Sequence, residues 1–344
     1  MNNYRRIVLG IITSLFIIAL AASLGSSRIS PGDTLLVILH KVFRVPLKEG
    51  FDPTKVSIVW LLRLPRVILA FIAGGCLAMS GAVSQSILRN PLATPYILGV
   101  SAGASFGAGI IIIAGGFSIP FIGAFALPIS GFVFGLCAVF LVAAFASKID
   151  KNMSSNTIIL CGMVFSLFIS AILTTLSAIF SDDLKRIVLW QMGSFAMRGW
   201  TYVRLILPFF VIGTLGILYY SREMDILTFG DEQAKSAGVE SGSIRKKLLV
   251  FSAILTGAVV ALSGVIGFVD LIAPHAARRL IGSRHKHVIP MSFILGGSLL
   301  VVTDLVARTI ISPSELPIGA LTALIGAPFF AWIYFHRKTK WKNQ

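Results

Sequence analysis

The residues of this chain that can do chemistry are few, and most of the acids lie together. SREMDILTFGDEQAKSAGVESGSIRKK, from Ser221 to Lys247, carries Glu223, Asp225, Asp231, Glu232 and Glu240, five of only 14 acidic residues among 344. Apolar segments flank it on both sides, so it reads as a contact surface kept for a soluble partner. Gly99, Ser101 and Gly103 spell G-x-S-x-G, which in serine hydrolases presents a nucleophile at a strand-to-helix turn and needs a later acid and histidine. Here the motif lies in an apolar helical stretch. Asp270, Asp304 and His275 are the only candidate partners in such stretches, and nothing aligns them, so small-residue packing is the favoured reading. His285 and His287 sit in a basic loop around Lys286 and read as solvated side chains rather than metal ligands. The chain holds neither H-E-x-x-H nor G-x-x-x-x-G-K-[ST], so it is neither a metalloprotease of that type nor itself a P-loop ATPase. If ATP drives it, another chain binds the nucleotide.

The elements that must position these residues are membrane spans. With 56% hydrophobic and 13% charged residues and a mean hydropathy of +0.89, the chain has more apolar surface than a soluble fold of its size can bury. Uncharged runs of about 20 residues each suit a bilayer crossing. The spacing predicts an all-α integral membrane protein with ten spans, near 7–27, 64–88, 95–114, 119–146, 155–179, 201–220, 246–263, 266–280, 289–309 and 316–335. Gly115 to Pro120, GGFSIP, breaks the long uncharged run between the third and fourth spans. The third and eighth spans are short and interrupted by Gly or Pro, which marks packing or a moving element. The net charge of +16 is read through loop asymmetry, and the excess of Lys and Arg places both termini in the cytoplasm. No small-residue cleavage site follows the first apolar segment, so it is expected to stay as a span. Cys76, Cys137 and Cys161 are scattered through apolar spans and pair with nothing by spacing.

The whole chain, 1–344, reads as a single transmembrane domain with an external segment at about 28–62 and the charged cytoplasmic segment at about 222–243. Within the external segment, TLLVILHKVFRV has the pattern of a short interfacial helix. A second short external helix is expected at Asp182 to Gln191, with SDD supplying the N-cap. Arg63, Arg66 and Arg308 fall at the outer ends of spans, against the positive-inside trend. Asp304 and Arg308 stand at i, i+4 and can pair. Ser80, Ser84 and Gln85 lie on the second span, where they either present a polar stripe to a passage or hydrogen-bond between helices.

LLRLPR (Leu61 to Arg66), SGAVSQSILRNPLATPYILGVSAGA (Ser80 to Ala104), LTFGDEQAKSAGV (Leu227 to Val239), SGVIGFVDLIAPHAARRLIGSRHKHVIP (Ser263 to Pro290) and TDLVARTIISPSELPIGALTALIGAPFF (Thr303 to Phe330) follow one another in register. Together they resemble the iron-siderophore and cobalamin permease family of ABC importers, nearly end to end. The resemblance implies a type II permease bundle paired with a second permease, identical or related, around a central path. Two cytoplasmic P-loop ATPases, carrying the ATP and Mg that this chain does not hold, would attach below, and an extracellular substrate-binding protein would dock above. It implies that Gly230, Asp231, Glu232, Ala234 and Gly238 belong to the segment that couples to the ATPase. It assigns Arg63, Arg66 and Arg308 to docking acidic residues of the binding protein.

Ser155 and Asn156 match positions that form the cytoplasmic constriction in cobalamin permeases, although the local residues are SSN where the family has STS. Asp270 departs from the family, which usually has Gly in G-F-V-G-L-x-x-P-H; it either pairs with Arg278 or Arg279 or lies at the outer mouth. The expected cargo is a ferric siderophore, taken into a bacterial cell through the plasma membrane with no chemistry done on it. Cobalamin or haem are the alternatives within the class. An ion-coupled secondary transporter, from another class, would need acidic or histidine relays along its spans, and only two in-membrane carboxylates are available.

Overall fold

The structure, a computed structural model, describes residues 2–25, 29–47, 50–115 and 123–341. The expected turn at 115–120 and the start of the external segment at residue 28 fall almost wholly outside these residues. Every regular element among the described residues is a helix: α1 (Asn3–Ser23), α2 (Pro31–Phe43), α3 (Pro53–Ile87), α4 (Val100–Ile113), α5 (Gly123–Ile149), α6 (Ser155–Ile179), α7 (Leu184–Gln191), α8 (Trp200–Tyr219), α9 (Ser221–Leu227), α10 (Asp231–Ser236), α11 (Ser241–Ser263), α12 (Val269–Ile281), α13 (His285–Thr309) and α14 (Ile318–Trp341). Seven of them, α1, α3, α5, α6, α8, α11 and α13, are long and apolar enough to cross a bilayer. The shorter α4 and α12 and the terminal α14 complete a bundle of about ten crossings. We call the end where α1 begins the near end and the other the far end.

Helix α3 starts at Pro53 rather than near residue 64. Proline fits a first helical turn, where its missing N–H costs nothing, and Asp52 caps that turn by accepting from the Thr54 N–H at 2.8 Å. A π-helical turn at Ile58–Arg63 then joins it to the long span. Residues 29–47 and 50–62, expected to be an external segment, are therefore mostly helical. Ser30 caps α2 by accepting from the Asp33 N–H at 3.0 Å, and the Asp33 carboxylate reaches Lys55 on α3 at 2.7 Å.

Small residues put α3 at the centre, with 89% of its most apolar stretch buried. Lipid gives apolar helices little reason to associate, so close backbone approach has to supply the contact. Gly81 shows how close this is: a Cβ built there would lie 1.9 Å from the Asp270 carbonyl oxygen of α12. By contrast only 17% of the most apolar stretch of α6 is buried, and Leu160, Leu167 and Phe168 face outward. That perimeter must be covered by lipid or by another subunit.

The two short spans are short because the chain ahead of each is not α-helical. A 3₁₀ turn at Pro95–Leu98 precedes α4, and residues 264–268 precede α12, with Phe268 in the left-handed region. The two irregular segments meet, and the Tyr96 hydroxyl donates to the Ile266 carbonyl at 2.7 Å. The Ser194 N–H donates to the Ser263 carbonyl at 2.7 Å. Non-helical backbone at membrane depth persists only where such partners satisfy it. The short helix expected after Ser181 begins differently from its SDD prediction. Ser181–Asp183 forms a 3₁₀ turn without a side-chain cap, and Asp183 faces Arg186 at 3.4 Å.

Candidate functional site

The charged island folds at the near end as two short helices, α9 and α10, laid against the ends of α3, α11 and α13. Gly230 makes the corner between them at φ 119°, which a side chain would oppose. Gly238 ends α10 in a Schellman arrangement: the Val239 N–H donates to the Ala234 carbonyl at 2.8 Å and the Gly238 N–H to Lys235 at 3.0 Å. Asp231 and Glu232 occupy the first turn of α10, where the helix dipole favours negative charge.

Their roles differ. Asp231 turns inward and meets Arg245 of α11 at 2.7 Å and Arg89 at 3.4 Å. Arg245 is 0% exposed and also donates to the carbonyls of Asn152 and Met153 at 3.0 and 3.1 Å. Ala234 is buried beneath the segment, whereas Glu232 points outward. Next to it stands Phe229, 75% exposed on this polar surface. Sequence reasoning passed over Phe229, although a lone aromatic in a charged island was the available signal.

A second link was also missed. His285, expected to be solvated, is 2% exposed. The first turn of α13 folds back onto α9, so that the His285 backbone N–H and ring Nδ1 both donate to Asp225, at 2.9 and 2.5 Å. Its Nε2 meets the Ser86 hydroxyl of α3. Burial opposes the Asp225 charge, but the hydrogen bonds from His285 and the charges of His285 and Arg284 prevail and hold the carboxyl below the usual carboxylate range. His287, the other histidine of that stretch, packs edge-on against Tyr4 at 5.9 Å.

The last turns of α3 thus hold several elements at once. Gln85 donates to the Asp270 carbonyl at 3.2 Å and accepts from Arg278 of α12, Ser86 holds His285, and Arg89 holds Asp231. Ser80 donates to the Ser252 carbonyl of α11 at 3.1 Å, and Ser84 is buried beside it. Among the described residues, these side chains lie inside interhelical packing. Arg278 goes to Gln85, not to Asp270. Asp270 is 0% exposed, and among the described residues neither carboxylate oxygen has a hydrogen-bond partner.

At the far end, Arg66 joins two carboxylates. Its Nε and Nη2 donate to Asp304 at 2.9 to 3.1 Å, and its Nη1 and Nη2 donate to Glu315 at 2.7 and 2.9 Å. Those hydrogen bonds, with the nearby charges of Arg66 and Arg308, hold the Glu315 carboxyl below its usual value despite partial burial. Arg308 lies 3.6 Å from Asp304 and donates to the Ala21 carbonyl; Arg63 donates to the carbonyls of Ser23 and Ala22. Cations here complement the C-terminal end of α1. All three arginines are at most 9% exposed.

These arginines nonetheless line a cavity of about 530 Å³ together with Arg198 and Glu315. Arg198, half-buried, stacks over Tyr202 at 4.4 Å. It is the more accessible cation of this pocket, and the sequence reading did not single it out. A second open groove of about 530 Å³ carries hydroxyls among aliphatic residues: Ser101 and Ser105 of α4 and Ser166, Ser170, Thr174 and Ser177 of α6 share its lining with Leu173, Leu184, Ile187 and Val188. Ser101 of the G-x-S-x-G stretch is thus a groove residue. Ser155 and Asn156 start α6 at its near end, Ser155 partly buried and Asn156 exposed.

Residues 11–336 match the FecCD transport family. An ABC transporter permease protein of Bacillus subtilis, YvrB, described as uncharacterized, is 41% identical over 339 residues, covering 96% of this chain and 94% of its own length. The cobalamin import system permease protein BtuC of Halobacterium salinarum is 36% identical, covering 87% of this chain and 79% of its own. A solved structure described as an inward-facing conformation of a metal-chelate-type ABC transporter superposes with a TM-score of 0.83 at 31% identity, covering 96% of this chain and 99% of that one. With a long central helix, two half-spans, a helical platform at one end and no P-loop, the chain belongs to the FecCD family of iron-siderophore and cobalamin permeases, as a membrane-spanning permease subunit of an ABC importer and not an enzyme.

Proposed function

We propose that this permease carries a metal chelate, a ferric siderophore, into the bacterial cytoplasm, with the near end and both termini on the cytoplasmic side of the plasma membrane. For coupling to an ATPase, the observation that carries the reading is the α9–α10 platform. Asp231–Arg245 and Asp225–His285 tie it to α11 and α13. A push on its exposed face, Phe229 and Glu232, therefore reaches the spans. That is what a coupling element for a P-loop ATPase requires, since ATP and Mg would reside on that partner.

A second permease chain would cover the exposed side of α6, and the hydroxyl groove between α4 and α6 would then open onto the shared path. Ser155 and Asn156, on the same helix, would narrow its cytoplasmic end. Cargo that is bulky and has both polar and apolar faces suits a groove whose hydroxyls, set among aliphatic residues, offer hydrogen bonds without charge. At the far end, an extracellular binding protein would present acidic side chains to the pocket of Arg63, Arg66, Arg198 and Arg308. Four guanidiniums against Asp304 and Glu315 leave that mouth positive, which favours steering and orientation.

Cobalamin is the second reading, favoured by the relative named for it. Growth of a deletion strain under iron limitation on single siderophores separates them. Loss of growth on one siderophore, restored by the gene, supports the reading. Normal growth on all of them with defective growth on cobalamin overturns it. Vanadate-sensitive uptake and co-purification with a P-loop ATPase test the coupling directly.

A further inference from the structure

On the outside of the bundle, α1, the end of α12 and α13 enclose a groove of about 480 Å³ that the transport reading does not use. Leu9, Ile17 and Ile294 make its lining largely apolar. Thr13 sits midway along it with its hydroxyl satisfied by the Leu9 carbonyl at 2.9 Å. Arg6 and Arg279 stand at the near-end mouth. Among the described residues, no carboxylate lies within 4.0 Å of either guanidinium. The mouth is held in place, because Arg6 donates to the Leu280 carbonyl and Asn3 to the Ile281 carbonyl at 3.0 Å, pinning the start of α1 to the end of α12.

The groove's length is informative. From Arg6 to Ile17 along α1 is about 16 Å at a rise of 1.5 Å per residue, roughly half of a 30 Å hydrocarbon core. One end is thus at the headgroup level with two uncompensated cations, and the rest is apolar to the depth of one leaflet.

We propose that this groove is a binding site for an anionic phospholipid, one acyl chain lying along α1 and the phosphate held between Arg6 and Arg279. A zwitterionic lipid would bring its own cation to the same mouth and bind less well. The site is independent of the cargo and of the ATPase.

The test is native mass spectrometry of the purified permease in detergent, with phosphatidylglycerol and phosphatidylcholine of identical acyl chains as probes. Phosphatidylglycerol should be retained about tenfold better or more. R6Q/R279Q should remove the preference, while R6K/R279K keeps most of it; the lysine variant separates lost charge from a lost fold. T13W, which fills the groove and leaves the arginines, should lower retention of both lipids. Glycerol phosphate, the headgroup without the chain, should not displace bound phosphatidylglycerol. Equal retention of the two lipids overturns the site, as does an unchanged preference in R6Q/R279Q, unchanged retention in T13W, or displacement by glycerol phosphate.

Discussion

Replacing Asp231 by Asn tests whether the α9–α10 platform is held from within. The carboxylate meets Arg245 at 2.7 Å, and Arg245 is fully buried, with the Asn152 and Met153 carbonyls as its other acceptors among the described residues. Breaking a fully buried pair by removing one partner costs about 3 to 5 kcal/mol, and a hydrogen bond to a charged group contributes about 1.5 to 3 kcal/mol. The Asp231 side chain is 28% exposed, and Asn retains one neutral hydrogen bond. The lower range therefore applies, about 2 kcal/mol, or about 30-fold in the population of the detached platform. Hydrogen exchange of the backbone amides from Ala234 to Val239, in the purified permease, reads that population directly. D231N should exchange about 30-fold faster there. E232Q is the control, because Glu232 faces outward; it should leave exchange unchanged while weakening co-purification of the ATPase. A change of less than about threefold in D231N, or an equal change in E232Q, would refute the assignment of Asp231 as the internal anchor and Glu232 as part of the contact face.

Gly81→Ala should lower the melting temperature and loosen α12, at a cost of about 1 to 3 kcal/mol, because the new methyl meets the Asp270 backbone; a melting temperature equal to the parent's would mean that α3 and α12 are not in contact there. Glu315 has its carboxyl held below the ordinary value in the folded chain, so its contribution to stability is present above about pH 4.3 and is lost as the pH falls through the folded value. E315Q should accordingly flatten the acid limb of thermal stability, and an acid limb identical to the parent's would contradict the Arg66–Glu315 link. Arg198→Glu should weaken binding-protein docking most at low salt and leave the fold intact, since Arg198 is half-buried and stacked on Tyr202. Arg63→Glu should destabilise the permease itself, since Arg63 donates to the last carbonyls of α1; detergent melting curves distinguish the two, and an R63E melting curve equal to the parent's would contradict that link.

Much of this protein was legible in its residues. Hydropathy over windows of about 20 residues gave the number of crossings, because lipid imposes one length and one polarity on any helix that spans it. The five motifs in register gave the family, and the charged stretch between α8 and α11 marked the platform, since charge is too costly in a bilayer to be kept there by accident. The glycines at 230 and 238 supply the corner and the cap, because both positions take a positive φ that a side chain would oppose. Composition could not say which charges face inward. Asp231 and Glu232 are neighbours in sequence but point different ways, Asp231 toward Arg245 and Glu232 outward, and His285 reads as a loop residue until α13 folds back on α9. Arg66 reads as a free cation until α13 and the Glu315 loop bring two carboxylates to it from more than 230 positions away. Sequence sets the local propensities and the lipid-imposed lengths; pairing between distant side chains exists only once the helices have packed, and packing alone decided which polar groups are anchors and which remain for partners.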